Sequence, residues 1–339
     1  MLLNLQYIAL ELTDRCNLDC CYCYNIWKIA GAEHKPFNSY SKAIKALKKL
    51  FTQADIRNVT LTGGETFLAE RVMEVALFCR MAGKTVTVIS NGTAGHPKQY
   101  RQLIDMGVTL FEMPVHSADE AVHDAITGMQ GSWQKSIASL KAIRDMGGYP
   151  VAVIVLTRHN APGLGATLDL IASTGIKRIM LNRYNIGGHH TADPQTVCAT
   201  HAQLKEAFRI AHEKAAEHDL KITSNVCTPV CLLDPADYPR IGFGHCSPDP
   251  LRKPVTLDVN GNIRLCNHSP VVAGNIFRET LEEILSSPYA RSWGEIVPDY
   301  CAACTLWERC LGGCRAASEQ CGLGLNAPDP LLTATLTVA

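Results

Sequence analysis

Along the first two-thirds of the chain, apolar positions recur with two alternating periods. Residues 7–12, 59–62, 85–90, 109–115, 151–156 and 178–182 are short apolar runs of strand type. Between them the apolar positions recur at helical spacing. Ser41 reads as an N-cap, followed by Ile44, Leu47 and Leu50 on one face and lysines on the other. Further helical stretches cover 71–81, 97–106, 132–146 and 164–173, closed by Gly83, Gly107, Gly147-Gly148 and Gly175. Six strand-then-helix units imply parallel strands joined by helical crossovers. A full (β/α)8 barrel needs about 250 residues. The alternation ends too early for that, so the pattern predicts an α/β fold with a partial (β/α)6 TIM-like barrel. The periodicity alone also fits a flat, doubly wound sheet.

From about Asn225 the alternation stops and Pro, Gly and Cys become frequent. A boundary near 220–230 divides the chain into a barrel (1–225), a small cysteine-rich domain (226–322) and a C-terminal tail (323–339). Within the second part, 255–259 and 263–266 flank Asn260-Gly261 and read as a β-hairpin. The tail, low in charge and rich in Pro, Leu and Thr, reads as a loose end or a partner strand.

Charge then narrows the function. The 32 basic and 32 acidic side chains cancel, which argues against bulk attraction to nucleic acid or an anionic membrane. No apolar run is long enough to span a bilayer, and the N-terminus has no basic n-region, so a cytoplasmic protein is expected. Fifteen cysteines in 339 residues is unusual. In a reducing compartment they point to metal or cluster ligation rather than disulfides. Most lie after residue 225 or within the first 80, and only Cys198 falls between.

The informative loops follow the strands, where the chemistry of parallel α/β folds gathers. After strand 1, Cys16, Cys20 and Cys23 give the spacing C-x3-C-x2-C. Three thiolates can hold three corners of a [4Fe-4S] cluster and leave one iron open for a non-protein ligand. Zinc sites usually show two C-x2-4-C pairs, and this segment offers one. Cys21 lies outside the spacing. After strand 2 comes Gly63-Gly64-Glu65, two glycines that allow close backbone approach and a carboxylate that can meet an ammonium. After strand 3 comes Ser90-Asn91-Gly92, either a ligand-facing loop or an ordinary Asn-Gly turn. His116 follows strand 4 and reads equally as an acid/base group or as a structural histidine. After strand 6, Arg183 and Tyr184 open a Gly-rich loop, and Arg183 suits a carboxylate of a ligand or substrate. His189 and His190 in that loop read as solvated. Further on, Cys246, Gly261-x4-Cys266 and the run Cys301-x2-Cys304-x5-Cys310-x3-Cys314 precede Cys321. Cys79 and Cys198 read as structural thiols.

Together these residues resemble the radical S-adenosylmethionine (SAM) superfamily with a C-terminal SPASM extension. The cysteine triad and the Gly-Gly-Glu loop carry the first resemblance, with Thr66 in place of the usual proline. The seven cysteines from 246 to 321 carry the second. The resemblance implies that SAM chelates the open iron beside Tyr22, Gly63, Gly64, Glu65, Ser90 and Asn91. It implies two auxiliary iron–sulfur clusters: Cys301, Cys304, Cys310 and Cys321 at the distal one, and Cys246, Cys266 and Cys314 at the proximal one. The proximal fourth ligand stays open between Cys227, Cys231 and a substrate. Pro114 and His116 depart from the family's usual Ser and acid after strand 4.

The implied chemistry is reductive cleavage of SAM to methionine and a 5′-deoxyadenosyl radical, which takes a hydrogen atom from an unactivated C–H bond. The expected substrate is a ribosomally made precursor peptide, modified by C–C or C–S bond formation or a related oxidation. A separate peptide-recognition protein and a reductant such as flavodoxin or ferredoxin are the expected partners. The alternatives are a dehydrogenase or decarboxylase acting on a sugar-like molecule, and a non-catalytic electron carrier. The Gly-Gly-Glu loop argues against the carrier.

Overall fold

The structure, a computed structural model, describes residues 2–25, 40–188, 193–247 and 249–336. His189 and His190 lie outside the described residues. The six expected strands form: β1 (Tyr7–Glu11), β2 (Asn58–Thr62), β3 (Thr85–Ile89), β4 (Leu110–Pro114), β5 (Tyr149–Leu156) and β6 (Arg178–Arg183). They pair in chain order, all parallel, with Leu10 beside Leu61 and Leu61 beside Val88. Alternation along each strand sets the faces. Ile8, Leu10, Val59, Leu61, Val88, Phe111 and Met113 are buried in the core. The opposite face is polar: Asn58 hydrogen-bonds both Thr60 and Thr87.

Helices α1 (Tyr40–Phe51), α2 (Val72–Met81), α3 (Pro97–Asp105), α5 (Ser132–Asp145) and α6 (Leu164–Ser173) match the expected stretches. In α1 the helix starts at Tyr40, so Ser41 lies in the first turn rather than at the cap. Two helices were not legible. Helix α4 (Glu120–Thr127) is short, capped by Asp119 and closed by Gly128 at φ 70°. Helix α7 (His201–Glu217) has a capping box between Thr200 and Gln203, and three alanines lie in its buried stripe, which weakens the apolar signal.

The sheet continues past six strands. β7 (Lys221–Ser224) and β8 (Ile241–Phe243) extend one edge in parallel. At the other edge, β9 (Val255–Asp258) lies parallel to β1 and turns back into β10 (Asn262–Arg264), the expected hairpin, followed by β11 (Gly274–Asn275). The cysteine-rich region is therefore stitched to strand 1, the strand that carries the cysteine loop. A buried ion pair between Arg264 on β10 and Glu11 on β1 reinforces this seam. Removing one partner strands a charge at a cost of about 3–5 kcal/mol. Arg264→Ala is accordingly expected to lower the unfolding free energy by that amount in denaturant titrations of the holoprotein.

The rest of the second region is short helices: α8 (Leu281–Leu285), α9 (Pro288–Glu295), α10 (Trp307–Cys310) and α11 (Arg315–Gln320). The last stretch differs from the expectation of a loose tail or partner strand. It forms helix α12 (Pro330–Leu336), with Leu331 and Leu332 in the core. Asp329 at its start is buried and pairs with Arg183. Among the described residues, no helix is long and apolar enough to cross a membrane.

Candidate functional site

The loop from Leu12 to Asn25, which leaves β1, is held from several sides by backbone. Asp19 N donates to Thr127 O at 3.1 Å and Cys21 N to Ile126 O at 2.9 Å, so the end of α4 fixes its middle. Gly64 N donates to Thr13 O at 2.6 Å and Glu65 N to Arg15 O at 2.7 Å. A Cβ on Gly63 would collide with Thr13 O, and one on Gly64 with Arg15 O. Gly63 also holds φ 147°, a value side chains rarely adopt. The glycine pair is thus required by the close approach of two loops. From the far side, a Cβ on Gly188 (φ 67°) would meet Cys23 O. This gives the Gly-rich loop after β6 the same role.

Glu65 does not project from the sheet. It is 0% exposed; its Oε1 accepts from Phe67 N at 2.9 Å and Ser90 Oγ at 2.8 Å, and its Oε2 from Asn91 N at 2.6 Å. Burial raises its pKa while these three donors favour the ionised form. Its carboxylate ties the loop after β2 to the loop after β3. Ser90 spends its hydroxyl on this bond. Asn91 is the residue that reaches the cysteines, with Nδ2 3.8 Å from Cys16 Sγ and 2.9 Å from Asn17 Oδ1.

Tyr22 lies among the thiols. Its phenol is buried and held well above its usual pKa, first by burial and then by the neighbouring Cys20 and Cys23. His116 Nε2 is 2.8 Å from the Tyr22 hydroxyl. His116 Nδ1 accepts from Val155 N at 3.3 Å, which places the ring proton on Nε2 and makes His116 the donor to Tyr22. The ring is 1% exposed, and burial, helped by His123, drives its pKa well down. His116 therefore stays neutral and positions Tyr22.

Arg183 is likewise displaced from its expected role. Its Nη2 pairs with Asp329 and donates to Cys227 O at 2.7 Å, and its Nη1 donates to Tyr184 O at 3.2 Å. It is 1% exposed and anchors the C-terminal segment through Nη1 and Nη2, while its buried Nε has no partner among the described residues. Tyr184 is buried in the core beside Cys198.

A polar layer missed by sequence reading joins the first loop to the second cysteine region. Tyr24, directly after Cys23, stacks on His268 with ring centroids 3.7 Å apart. Asn267 Nδ2 donates to Tyr24 Oη at 2.8 Å, and Gln320 bonds both Tyr24 O and His268 O. Asn185 Nδ2 lies 2.7 Å from His268 Nδ1 and 3.3 Å from Cys314 Sγ. Burial holds His268 near a pKa of about 3, so it is a neutral partner. Only the spacing of His268 two residues after Cys266 hinted at this.

Glu112 was also missed. It lies on β4 between the core residues Phe111 and Met113, so its side chain points to the polar face. Burial pushes its carboxyl up to about 7. A carboxyl titrating near neutrality suits general acid/base work. Its linkage sign follows: the raised pKa gives stability that is complete below about 4.5 and lost as pH rises to about 7. Glu112→Gln is expected to abolish this fall, worth about 3 kcal/mol, in unfolding measured at pH 5 and pH 8.

All fifteen cysteines are free thiols. Soft donors on loops pinned by backbone hydrogen bonds fit iron–sulfur ligation at both ends of the polar layer. Cys79 is buried in α2, consistent with a structural thiol.

The comparisons agree with this chemistry. The model of the radical SAM superfamily matches residues 10–171, and that of the SPASM iron–sulfur cluster-binding domain matches residues 230–305. A PqqA peptide cyclase from Methylocella silvestris is 23% identical over 347 residues, covering 97% of this chain and 88% of the relative. The antilisterial bacteriocin subtilosin biosynthesis protein AlbA of Bacillus subtilis is 23% identical, covering 91% of this chain and 66% of its own length. Streptococcus suis SuiB bound to its precursor peptide SuiA has the same fold, with a TM-score of 0.73 at 14% identity, covering 97% of this chain and 76% of that one.

Proposed function

Because this chain is a radical SAM enzyme with a SPASM iron–sulfur domain, we propose that it modifies a side chain of a ribosomally made peptide. The modification is a C–C or C–S bond or a related oxidation. The observation that carries this reading is the shared wall between the two cysteine regions: Tyr24, next to Cys23, stacks on His268, two residues from Cys266. A hydrogen-abstracting site with an electron exit beside it suits a net oxidation. The peptide as substrate is supported by the relatives, which are named for peptide cyclisation and bacteriocin biosynthesis.

Cys16, Cys20 and Cys23 would hold the SAM-binding cluster. When bound, that cluster and SAM supply reductive cleavage and hydrogen-atom abstraction. The chain's own residues do the rest. Gly63 and Gly64 let their loop close on the cysteine loop. Glu65 fixes Ser90 and Asn91, and Asn91 donates toward Cys16 Sγ. His116 and Tyr22 keep one side of the loop rigid and dry. Glu112, on the polar face of β4, can hold or give up a proton near neutral pH, since burial pushes its carboxyl up to about 7. A separate peptide-recognition protein and a reductant such as flavodoxin or ferredoxin complete the system.

Short peptides encoded beside the gene, incubated anaerobically with the reconstituted enzyme, SAM and dithionite, test the substrate class. A product lighter by two hydrogens in the mass spectrum is expected. Turnover of a sugar-like molecule, with every such peptide unchanged, would replace this reading with a small-molecule dehydrogenase.

A further inference from the structure

Strands β1 to β6 carry two acidic side chains, Glu11 and Glu112, and alternation puts both on the polar, inner face of the sheet. Glu11 is taken up by its ion pair with Arg264. Glu112 has no counterpart: among the described residues no hydrogen bond or ion pair reaches its carboxylate. The strand register sets Ile89 and Val151 directly beside it. The first cation along that row is Arg178, beyond Val151 and exposed at the start of β6. A carboxylate among apolar groups is unfavourable unless a cation or a proton meets it. The surrounding strands supply no such cation.

The face around it is open. In a closed barrel, layers of side chains fill the interior. Here Thr60, Glu112, Val153, Val155, Met180 and Asn182, all on the inner face, stay partly exposed. At the N-terminal ends of β2 to β4 lies a cavity of about 300 Å³, with Asn58, Thr87 and Leu110 in its wall. Leu110 is the residue below Glu112 on the same face of β4. Above, Ser90 N donates to Glu112 O at 3.0 Å, and the next residue, Asn91, reaches toward Cys16 Sγ. Glu112 thus stands between this cavity and the loop that touches the cysteines.

We propose that Glu112 receives a cationic side chain of the peptide, a lysine or an arginine. Both carry an apolar stem that lies along apolar surface and a charge at the tip. Val151, Val153 and Met180 offer the stem its surface, and the carboxylate meets the tip. A charge pair away from bulk water is stronger than one at the surface. A neutral side chain in the same place leaves Glu112 without a partner. Glu112 is therefore a specificity residue: it selects by charge which part of the peptide enters the barrel. This rests on the peptide reading and adds to it the chemical class of the residue admitted.

The test compares matched peptides on the anaerobically reconstituted full chain in the presence of SAM. Peptides encoded beside the gene are made as encoded, and again with one lysine or arginine at a time replaced by norleucine or citrulline, which remove the charge. Calorimetry should find one replacement that weakens binding to wild type roughly tenfold or more. In Glu112→Gln that replacement should cost nothing further. A merely structural glutamate would weaken every peptide equally and leave the ratio as it is in wild type. An unchanged ratio overturns the proposal. So does a wild type indifferent to every replacement, which needs no variant, or one that modifies an encoded peptide lacking both lysine and arginine.

Failure of the peptide reading looks different. If no encoded peptide binds wild type, that reading falls, and n-butylammonium chloride then probes the carboxylate by saturation-transfer NMR. A signal in wild type that is lost in Glu112→Gln keeps the cation site, now for a small-molecule substrate. Equal signals in both overturn it.

Discussion

Replacing Cys16, Cys20 and Cys23 together with alanine drops 5′-deoxyadenosine formation to background while the iron content falls only from roughly twelve to roughly eight per chain. The loss is complete because the remaining thiol of that loop, Cys21, cannot substitute. Burial pushes it up to about 11, and its backbone N–H is tied to Ile126 O. Iron survives because no thiol is shared between the first loop and the second region. The contacts that join them run through Tyr24, His268, Asn267 and Gln320. Iron analysis and chromatography of anaerobic reactions read both quantities in one preparation. Loss of all iron in the triple variant would mean that the two cysteine regions assemble as one unit.

Arg183→Ala is the second large effect, and it is a stability effect. The guanidinium is buried against Asp329, Cys227 O and Tyr184 O. Deleting it leaves Asp329 charged in the core, although Asp329 keeps the N–H donors of Cys314 and Leu331. Breaking a buried pair from one side costs about 3–5 kcal/mol, whereas replacing both partners with well-packed apolar groups can be near neutral. Asp329→Leu alone should therefore destabilise similarly, and Arg183→Met combined with Asp329→Leu should recover most of the loss. Denaturant unfolding of Arg183→Met, Asp329→Leu and the double variant gives the cycle. A ligand-binding arginine would behave differently, with unfolding near wild type and KM raised.

Much of this molecule was legible because the information was local. The six parallel strands announced themselves by short apolar runs, and the hairpin by Asn260-Gly261. The three cysteines of the first loop stood out because they lie within eight residues of one another. Long-range pairings were not legible. Arg183 looked like a substrate clamp because it ends a strand at the mouth. Its partner, Asp329, is 146 residues away in a segment with no pattern of its own. His116 looked like an acid or base until Tyr22 and Val155 were seen to use both of its ring nitrogens. Glu112 hid in an apolar strand, where a lone carboxylate reads as noise. Helix α7 hid because alanine fills much of its buried stripe.

The Gly-Gly-Glu loop shows how function and packing overlap. Its glycines are demanded by the backbone of Thr13 and Arg15, and its glutamate by three donors. The loop shapes the site by making the cysteine loop rigid, and Asn91 carries that rigidity to Cys16.

The most direct measurement of the central claim follows a labelled hydrogen. Peptides encoded beside the gene are made with deuterated side chains and incubated anaerobically with the reconstituted enzyme, SAM and dithionite. If this chain cleaves SAM to abstract hydrogen from a peptide, 5′-deoxyadenosine forms together with methionine and gains one mass unit from the peptide. Iron-loaded enzyme that yields 5′-deoxyadenosine without deuterium from any such peptide, or yields none, would contradict the account.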